Sequence, residues 1–302
     1  MGGRISDIAV YEKEPRIFYV ASASGGLWKT ENAGISFTPV FERENTISLG
    51  AVAIDPGNPD IVYLGSGESN NRNSTAWGDG MYKSTDGGKT WTNVGLKETF
   101  HISRVRVNPK NPNIVFVAAM GKLWGTNPER GIFKSTDAGK TWRKVLYVND
   151  MTGATDLVLD PSNPNTMLAA TYQRLRKPYN YLGGGPGSGI WKSTNGGETW
   201  RRITKGLPPG DIGRIGLDYF RKNPKVVVAA VEHGIPTKGE GGNYTFDRKL
   251  NGIYKSTDGG ESWSLIPNSP NPRPFYFSQV RQDPMDEKRI YLPAVNFHYT
   301  DD

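Results

Sequence analysis

Apolar and polar residues alternate over GMYKS at positions 80–84, a period of two that predicts a strand with one buried face. STDGG follows at 84–88 and breaks the pattern. Asp accepts hydrogen bonds from backbone N–H groups just beyond it, and Gly adopts positive φ without a steric cost. Thr90-Trp91 then opens a second strand, with the indole supplying a large apolar surface. The stretch returns at 131–142 (GIFKSTDAGKTW), 189–200 (GIWKSTNGGETW) and 252–263 (GIYKSTDGGESW), and in decayed form at 26–37 (GLWKTENAGISF). A motif used five times is a structural joint rather than a reaction centre. Asn32 and Asn195 stand where the other copies have Asp86, Asp137 and Asp258. Asn keeps the acceptor oxygen and loses the charge, which argues against a calcium ligand or a catalytic carboxylate there. Trp91, Trp142, Trp200 and Trp263 close the four well-kept copies.

A second signal precedes each joint: IDPGNP at 54–59, VNPKNP at 107–112 and LDPSNP at 159–164, with weaker forms at 218–224 and 283–284. Pro cannot donate to a strand ladder, so each Pro pair ends one strand and turns the chain into the next. One unit is therefore a first strand, an Asn-Pro turn, a second strand, a variable loop and the joint hairpin, which makes four strands. The joint Ser/Thr positions (Thr30, Ser84, Ser135, Ser193, Ser256) step by 54, 51, 58 and 63 residues, a blade-sized spacing. These steps predict blades at about 1–43, 44–97, 98–149, 150–207 and 208–270, and a partial one at 271–302. The expected fold is all-β: a propeller of four-stranded antiparallel blades, five complete and a sixth begun, forming one domain. Six or seven blades would complete it, so the chain is expected to be a piece of a longer propeller protein.

The joint fits Ser/Thr-x-Asp-x-Gly-x-Thr/Ser-Trp/Phe and resembles the Asp-box, or BNR repeat, of β-propellers. The resemblance spans essentially the whole chain. Sialidases, xyloglucanases and sortilin-like domains carry the same box, so it implies a fold far more specifically than an activity. The chain resembles in particular the bacterial secreted sortilin- and xyloglucanase-like repeat proteins. The resemblance implies a secreted, periplasmic or cell-surface location, although no signal peptide appears in the sequence.

Composition narrows the chemistry. Among 302 residues there is no cysteine, which excludes disulfides, and three histidines (His101, His233, His298) lack metal-ligand spacing. No metal or cofactor is expected. The longest apolar runs, 114–120 and 226–231, are strand-sized, so no membrane insertion is expected. The net charge of +7 is spread along the chain, largely within the repeats, and fits a solvated basic surface better than a nucleic-acid site. Gly88-Lys89-Thr90 and Gly139-Lys140-Thr141 resemble the end of a phosphate loop, but Lys83 and Lys134 occupy the positions where that loop needs its first Gly. Asn73 and Asn243 head glycosylation sequons.

The loops after the second strands are long and unlike one another, and that is where ligand contacts are expected. They present Asn71, Arg72 and Trp77; Trp124 and Arg130; and Tyr172, Arg174 and Tyr181. Aromatic faces beside amide and guanidinium groups suit a glycan, and equally a polypeptide. The first strands offer Asp7, Arg104, Asp156, Arg214 and Gln279, expected to face a central channel as a charge network or a pocket.

Glycoside hydrolysis needs two placed carboxylates, and Glu68, Glu129, Asp156 and Glu232 are the weak candidates. Two family-specific transfers fail. Xyloglucanase-like relatives are expected to carry a catalytic Asp two residues before a Gly-Gly pair in the first blade, and Ala23 holds that position here. The Arg-Ile-Pro segment of sialidases meets Arg16-Ile17-Phe18. The expected function is a binding module for glycan or polypeptide, with no catalysis evident. The alternatives are a glycoside hydrolase with reassigned carboxylates and, by analogy with photosystem-associated Asp-box propellers, a membrane-protein assembly factor.

Overall fold

A computed structural model describes residues 3–72, 74–238 and 244–300. The chain divides into two compact units, Met1–Leu157 and Val158–Asp302. The first carries three antiparallel sheets in chain order. They are β1 (Ile5–Val10), β2 (Phe18–Ser22), β3 (Gly26–Thr30) and β4 (Thr38–Pro39); β5 (Leu49–Asp55), β6 (Asn58–Ser66), β7 (Met81–Ser84) and β8 (Thr92–Asn93); and β9 (Ile102–Val107), β10 (Val115–Ala119), β11 (Gly131–Ser135) and β12 (Arg143–Leu146). Each pairs its strands in sequence order, as a blade does. A single 3₁₀ turn at Lys97–Thr99 is the only helix among the described residues.

The division falls inside β13 (Thr152–Leu159), which opens the fourth sheet. That sheet continues through β14 (Met167–Lys177), β16 (Gly189–Ser193) and β17 (Arg201–Ile203), with β15 (Asn180–Gly183) folded back onto the end of β14. The fifth sheet runs β18 (Ile215–Tyr219), β19 (Val227–Val231), β22 (Gly252–Ser256) and β23 (Ser264–Leu265). The hairpin of β20 (Ile235–Lys238) and β21 (Tyr244–Asp247) is inserted after β19. The sixth has three strands, β24 (Arg281–Gln282), β25 (Ile290–Pro293) and β26 (Phe297–Thr300). The longer spacings of the fourth and fifth repeats thus reflect extra strands in their loops.

The Asn-Pro signal turns the chain as expected, and side-chain oxygens close its turns. Asp55, Asn108, Asp160 and Asp283 each accept the N–H two residues on, at 2.7–2.9 Å. Asn58, Asn111, Asn163 and Asn223 repeat the device at the next turn, at 3.0–3.2 Å. A carboxylate or amide thereby replaces the ladder bonds that Pro cannot make.

The joint is the same in all five copies. The Ser84 hydroxyl donates to Asp86 Oδ1 at 2.8 Å and accepts the Gly88 N–H at 2.8 Å, while Asp86 Oδ1 accepts the Thr90 N–H at 2.9 Å. Ser135/Asp137, Ser256/Asp258, Thr30/Asn32 and Ser193/Asn195 repeat those bonds within 3.0 Å. Inside the first unit the joints also bind the preceding sheet. Trp91 Nε1 donates to Val40 O at 2.6 Å and Trp142 Nε1 to Val94 O at 2.8 Å. Tyr19 Oη reaches Gly87 O at 2.8 Å, and Tyr63 Oη reaches Ala138 O at 3.1 Å.

The cores lie between successive sheets. In the first unit Tyr19, Leu27, Phe41, Leu49, Leu64 and Tyr82 fill one layer, and Tyr63, Met81, Ile102, Val105, Val117 and Phe133 the next. In the second unit Leu168, Ile190, Leu217, Val231, Tyr254 and Trp263 form one layer, and Val228, Ile253, Val280, Ile290 and Leu292 another. Burying each such side chain contributes about 1.5–3 kcal/mol.

Candidate functional site

In the first unit the loop after β6 meets the turn before β9 through close backbone contact. The Gly78 N–H donates to Phe100 O at 2.7 Å, and a Cβ on Gly67 would stand 1.9 Å from that oxygen. Gly67 also has φ +82°, so glycine is required twice over. Phe100 itself takes a left-handed φ of 58°, which swings its ring toward Trp77. The two rings meet edge to face at 6.5 Å.

The loop after β10 supplies the other wall, and Arg130 builds it. Its buried guanidinium donates to Lys122 O and Gly125 O at 2.7 Å, to Met151 O at 3.2 Å and to Asn127 Oδ1 at 2.9 Å. Asn127 in turn accepts the Lys122 N–H at 2.8 Å. Burial pulls the Arg130 guanidinium down to about 10, opposed by Asp150. Between the walls lies a cleft of about 110 Å³ lined by Thr75, Trp77, Phe100, His101, Lys122, Leu123 and Trp124. Trp77 is 69% exposed and Trp124 44% exposed, while Lys122 Nζ lies 5.0 Å over the Phe100 ring.

Trp77 and Trp124 are thus brought together, and Arg72 is exposed on the loop leading to them. Other ligand candidates lie inside the protein, and their expected ligand contact is corrected by that burial. Asn71 is buried, Arg130 is spent on loop carbonyls, and Arg174 is fully enclosed. Tyr172 is also fully enclosed, its hydroxyl 2.7 Å from that of half-buried Tyr181. Asn73 and Asn243 lie outside the described residues. Sequence reasoning missed Thr75, Phe100 and His101 as lining residues. Thr75 shares the loop of Trp77, Phe100 and His101 come from the turn before β9, and no local pattern marks them.

Of the candidate acids, three are held by a cation. Glu68 is fully buried and gripped by Arg4 at 3.0 and 2.5 Å. Asp156 and Asp7 flank Arg104 at 2.8 and 3.0 Å, a buried triad that also accepts the Leu157 and Val52 N–H groups. Glu129 pairs with Lys144 at 3.1 Å.

Glu232, just past β19 in the second unit, differs. Its Oε2 accepts the Arg214 N–H at 2.8 Å, and a Cβ on Gly213 would strike that oxygen at 2.3 Å. Burial pushes its carboxyl up to about 7, against the Arg214 N–H and the charges of Arg214 and Arg248. Arg214 meanwhile donates to the carbonyls of Phe275 and Tyr276, and Gln279 accepts from Arg281 at 3.1 Å. Ala23 is buried and donates its N–H to Arg4 O at 2.8 Å. Among the described residues no three His, Cys, Asp or Glu converge as a metal site, and no helix is long and apolar enough to cross a membrane.

Comparison with known proteins gives the same architecture. The Sortilin-Vps10 family (sortilin, neurotensin receptor 3) matches residues 79–208, and the BNR/Asp-box repeat matches residues 254–265. A probable oligoxyloglucan-reducing end-specific xyloglucanase of Neosartorya fischeri is 28% identical over 67% of this chain. A xyloglucanase of Acetivibrio thermocellus is 30% identical over 57% of it. The matches cover 24% and 20% of those proteins and 37% of a xyloglucanase of Hypocrea jecorina, so the chain spans well under half of the curated relatives it matches. The solved structure of a xyloglucanase of family GH74 from Xanthomonas campestris superposes on 98% of this chain and 44% of its own. The TM-score is 0.68 at 17% identity, a likeness of fold. Five matching joints, blade-ordered sheets and these relatives agree: the chain is similar in fold and in its joints to the Asp-box (BNR-repeat) β-propellers.

Proposed function

We propose that this chain binds a polysaccharide in the cleft between Trp77 and Trp124. The observation that carries the proposal is the pair of solvent-facing indoles on either side of one cleft, held by a loop framework that keeps them from collapsing together. A sugar ring presents an apolar face that stacks on indole and a hydroxyl rim that Thr75 and the surrounding backbone can meet. The relatives' names point to a β-glucan such as xyloglucan, and a polysaccharide ligand fits action outside the cytoplasm. The test is calorimetry with cello- and xyloglucan oligosaccharides on the intact chain. Trp77→Ala and Trp124→Ala should each weaken binding by about tenfold or more without lowering Tm. Unchanged affinity in both variants would remove the cleft from consideration.

A hydrolytic reading is favoured by one observation, Glu232. A carboxyl that keeps its proton to near neutrality can act as a general acid, whereas Glu68, Asp156 and Glu129 are each paired with a cation. Reducing-sugar release from xyloglucan, lost on Glu232→Gln, would establish it. Absence of release from the unaltered chain leaves the binding proposal alone.

A further inference from the structure

We propose that the saccharide taken by the Trp77–Trp124 cleft carries a carboxylate, and that Lys122 selects for it. The inference rests on the polysaccharide reading above and adds the chemical class of the sugar.

Lys122 is half-buried in the cleft wall with its ammonium over Phe100. Among the described residues that ring is its only partner: no carboxylate or carbonyl receives its Nζ. Other lysines set over aromatic rings in this unit are provided for. Lys83 donates to Ala138 O at 3.0 Å, Lys29 pairs with Glu31 at 2.8 Å, and Lys144 reaches both Pro128 O and Glu129. The contrast is local to the cleft.

The lining contains no acidic residue. Three acids on the adjoining loops are engaged elsewhere: Glu68 by Arg4, Asp79 by Tyr82 at 2.6 Å, and Glu129 by Lys144 at 3.1 Å. An aromatic ring stabilises an ammonium by about 0.5–2 kcal/mol and leaves its three N–H donors to be met from the open side. A neutral hydroxyl meets one of them weakly. A carboxylate meets them with a charge-assisted bond roughly twice as strong, and the surrounding indoles lower the dielectric in which it acts. Position matters too. The Arg130 and Asn127 bonds fix the Lys122 backbone, so the side chain rises from a rigid base beside Trp124. A uronic acid stacked on an indole would present its C6 carboxylate at the ring edge, where Lys122 stands. The charge thus discriminates between sugars of one shape, which is what a buried-rim ion contributes best.

The experiment compares cello-oligosaccharides with β-1,4-glucuronan oligosaccharides of equal length, which differ only at C6, by calorimetry on the whole chain at two salt concentrations. The glucuronan should bind about tenfold tighter, and the difference should shrink at high salt. Lys122→Met keeps the stem and its packing on Phe100 and should erase the preference without changing affinity for the neutral oligosaccharide. Trp77→Ala should weaken both sugars alike. Equal affinities, or a preference that survives Lys122→Met, would overturn the proposal while the polysaccharide reading stands. If acetate or an acidic peptide binds as well as the glucuronan, the site recognises anions rather than acidic sugars and the proposal also fails. If neither sugar binds, the polysaccharide reading itself falls.

Discussion

Asp86 and Asn32 hold the same turn with different charges, which makes the acceptor oxygen the conserved element of the joint. Each takes the N–H four residues on, from Thr90 at 2.9 Å and Ser36 at 3.0 Å. What differs is proton linkage. The Thr90 hydroxyl, the Thr90 N–H and the Ser84 hydroxyl draw the Asp86 carboxyl down to about 2 from an ordinary 3.8, and Asp137 behaves alike. A depressed carboxylate contributes stability that is complete above pH 4 or so and is lost as pH falls through its folded value near 2. Asp86→Asn keeps the acceptor oxygen but lacks the charge, so it should be less stable than the parent at pH 7 and close the gap on acidification, whereas Asp86→Ala should be less stable at both pH values. Thermal melts at pH 7 and pH 2.5 check this.

Glu232 has the opposite sign. Its folded value near 7 exceeds the ordinary 4.5, so the folded state holds the proton more tightly and stability declines as pH rises from about 4.5 to 7. Glu232→Gln keeps an acceptor for the Arg214 N–H and removes that decline. The variant should gain on the order of 2–3 kcal/mol over the parent at pH 8 and nothing at pH 4. Denaturant unfolding at the two pH values measures it.

At the scale of the element, the joint indole N–H finds a carbonyl of the neighbouring sheet in two cases, one of its own turn in a third (Trp200 to Gly197 O at 3.1 Å) and none in a fourth. Trp91 and Trp142 donate to Val40 and Val94, while the buried Trp263 Nε1 has no acceptor among the described residues. Trp91→Phe and Trp142→Phe should each cost about 1 kcal/mol for the lost bond. Trp263→Phe should be near neutral or stabilising, because it removes an unmet donor from the core. Replacing any of the three by Ala should cost about 3–5 kcal/mol.

These hairpins were fully legible in the sequence because five copies display the same turn chemistry against changing surroundings. The strands inside the variable loops were not. β15 and the β20–β21 hairpin have no repeat to expose them, and Tyr181 reads as a loop aromatic although it lies on a strand paired to β14. Arg130 shows the same limit. A guanidinium among Asn and Gly residues reads as a ligand group, and only the fold shows that four backbone carbonyls consume it.

Across the molecule, the scaffold is repeated and the site is made where the repetition fails. Every joint hydroxyl (Thr30, Ser84, Ser135, Ser193, Ser256) is buried and bonded in the same way. The cleft uses Trp77, Phe100, Lys122 and Trp124, none of which has a counterpart in the other repeats. Stability and binding should therefore separate cleanly. Ser84→Ala and Ser135→Ala each remove the bond donated to Asp86 or Asp137 and leave the Gly88 or Gly139 N–H unmet, at a cost of about 1–2 kcal/mol. The sites lie in different sheets and share no side-chain partner, so the double variant should show the sum of the two costs. Its affinity for the oligosaccharide should equal that of the parent. Trp77→Ala combined with Trp124→Ala should do the reverse, abolishing binding while the unfolding midpoint moves little, because both indoles are exposed. Paired denaturation and calorimetry on the two double variants decide the matter. A joint variant that loses affinity in proportion to its stability would show that cleft and scaffold are one cooperative element.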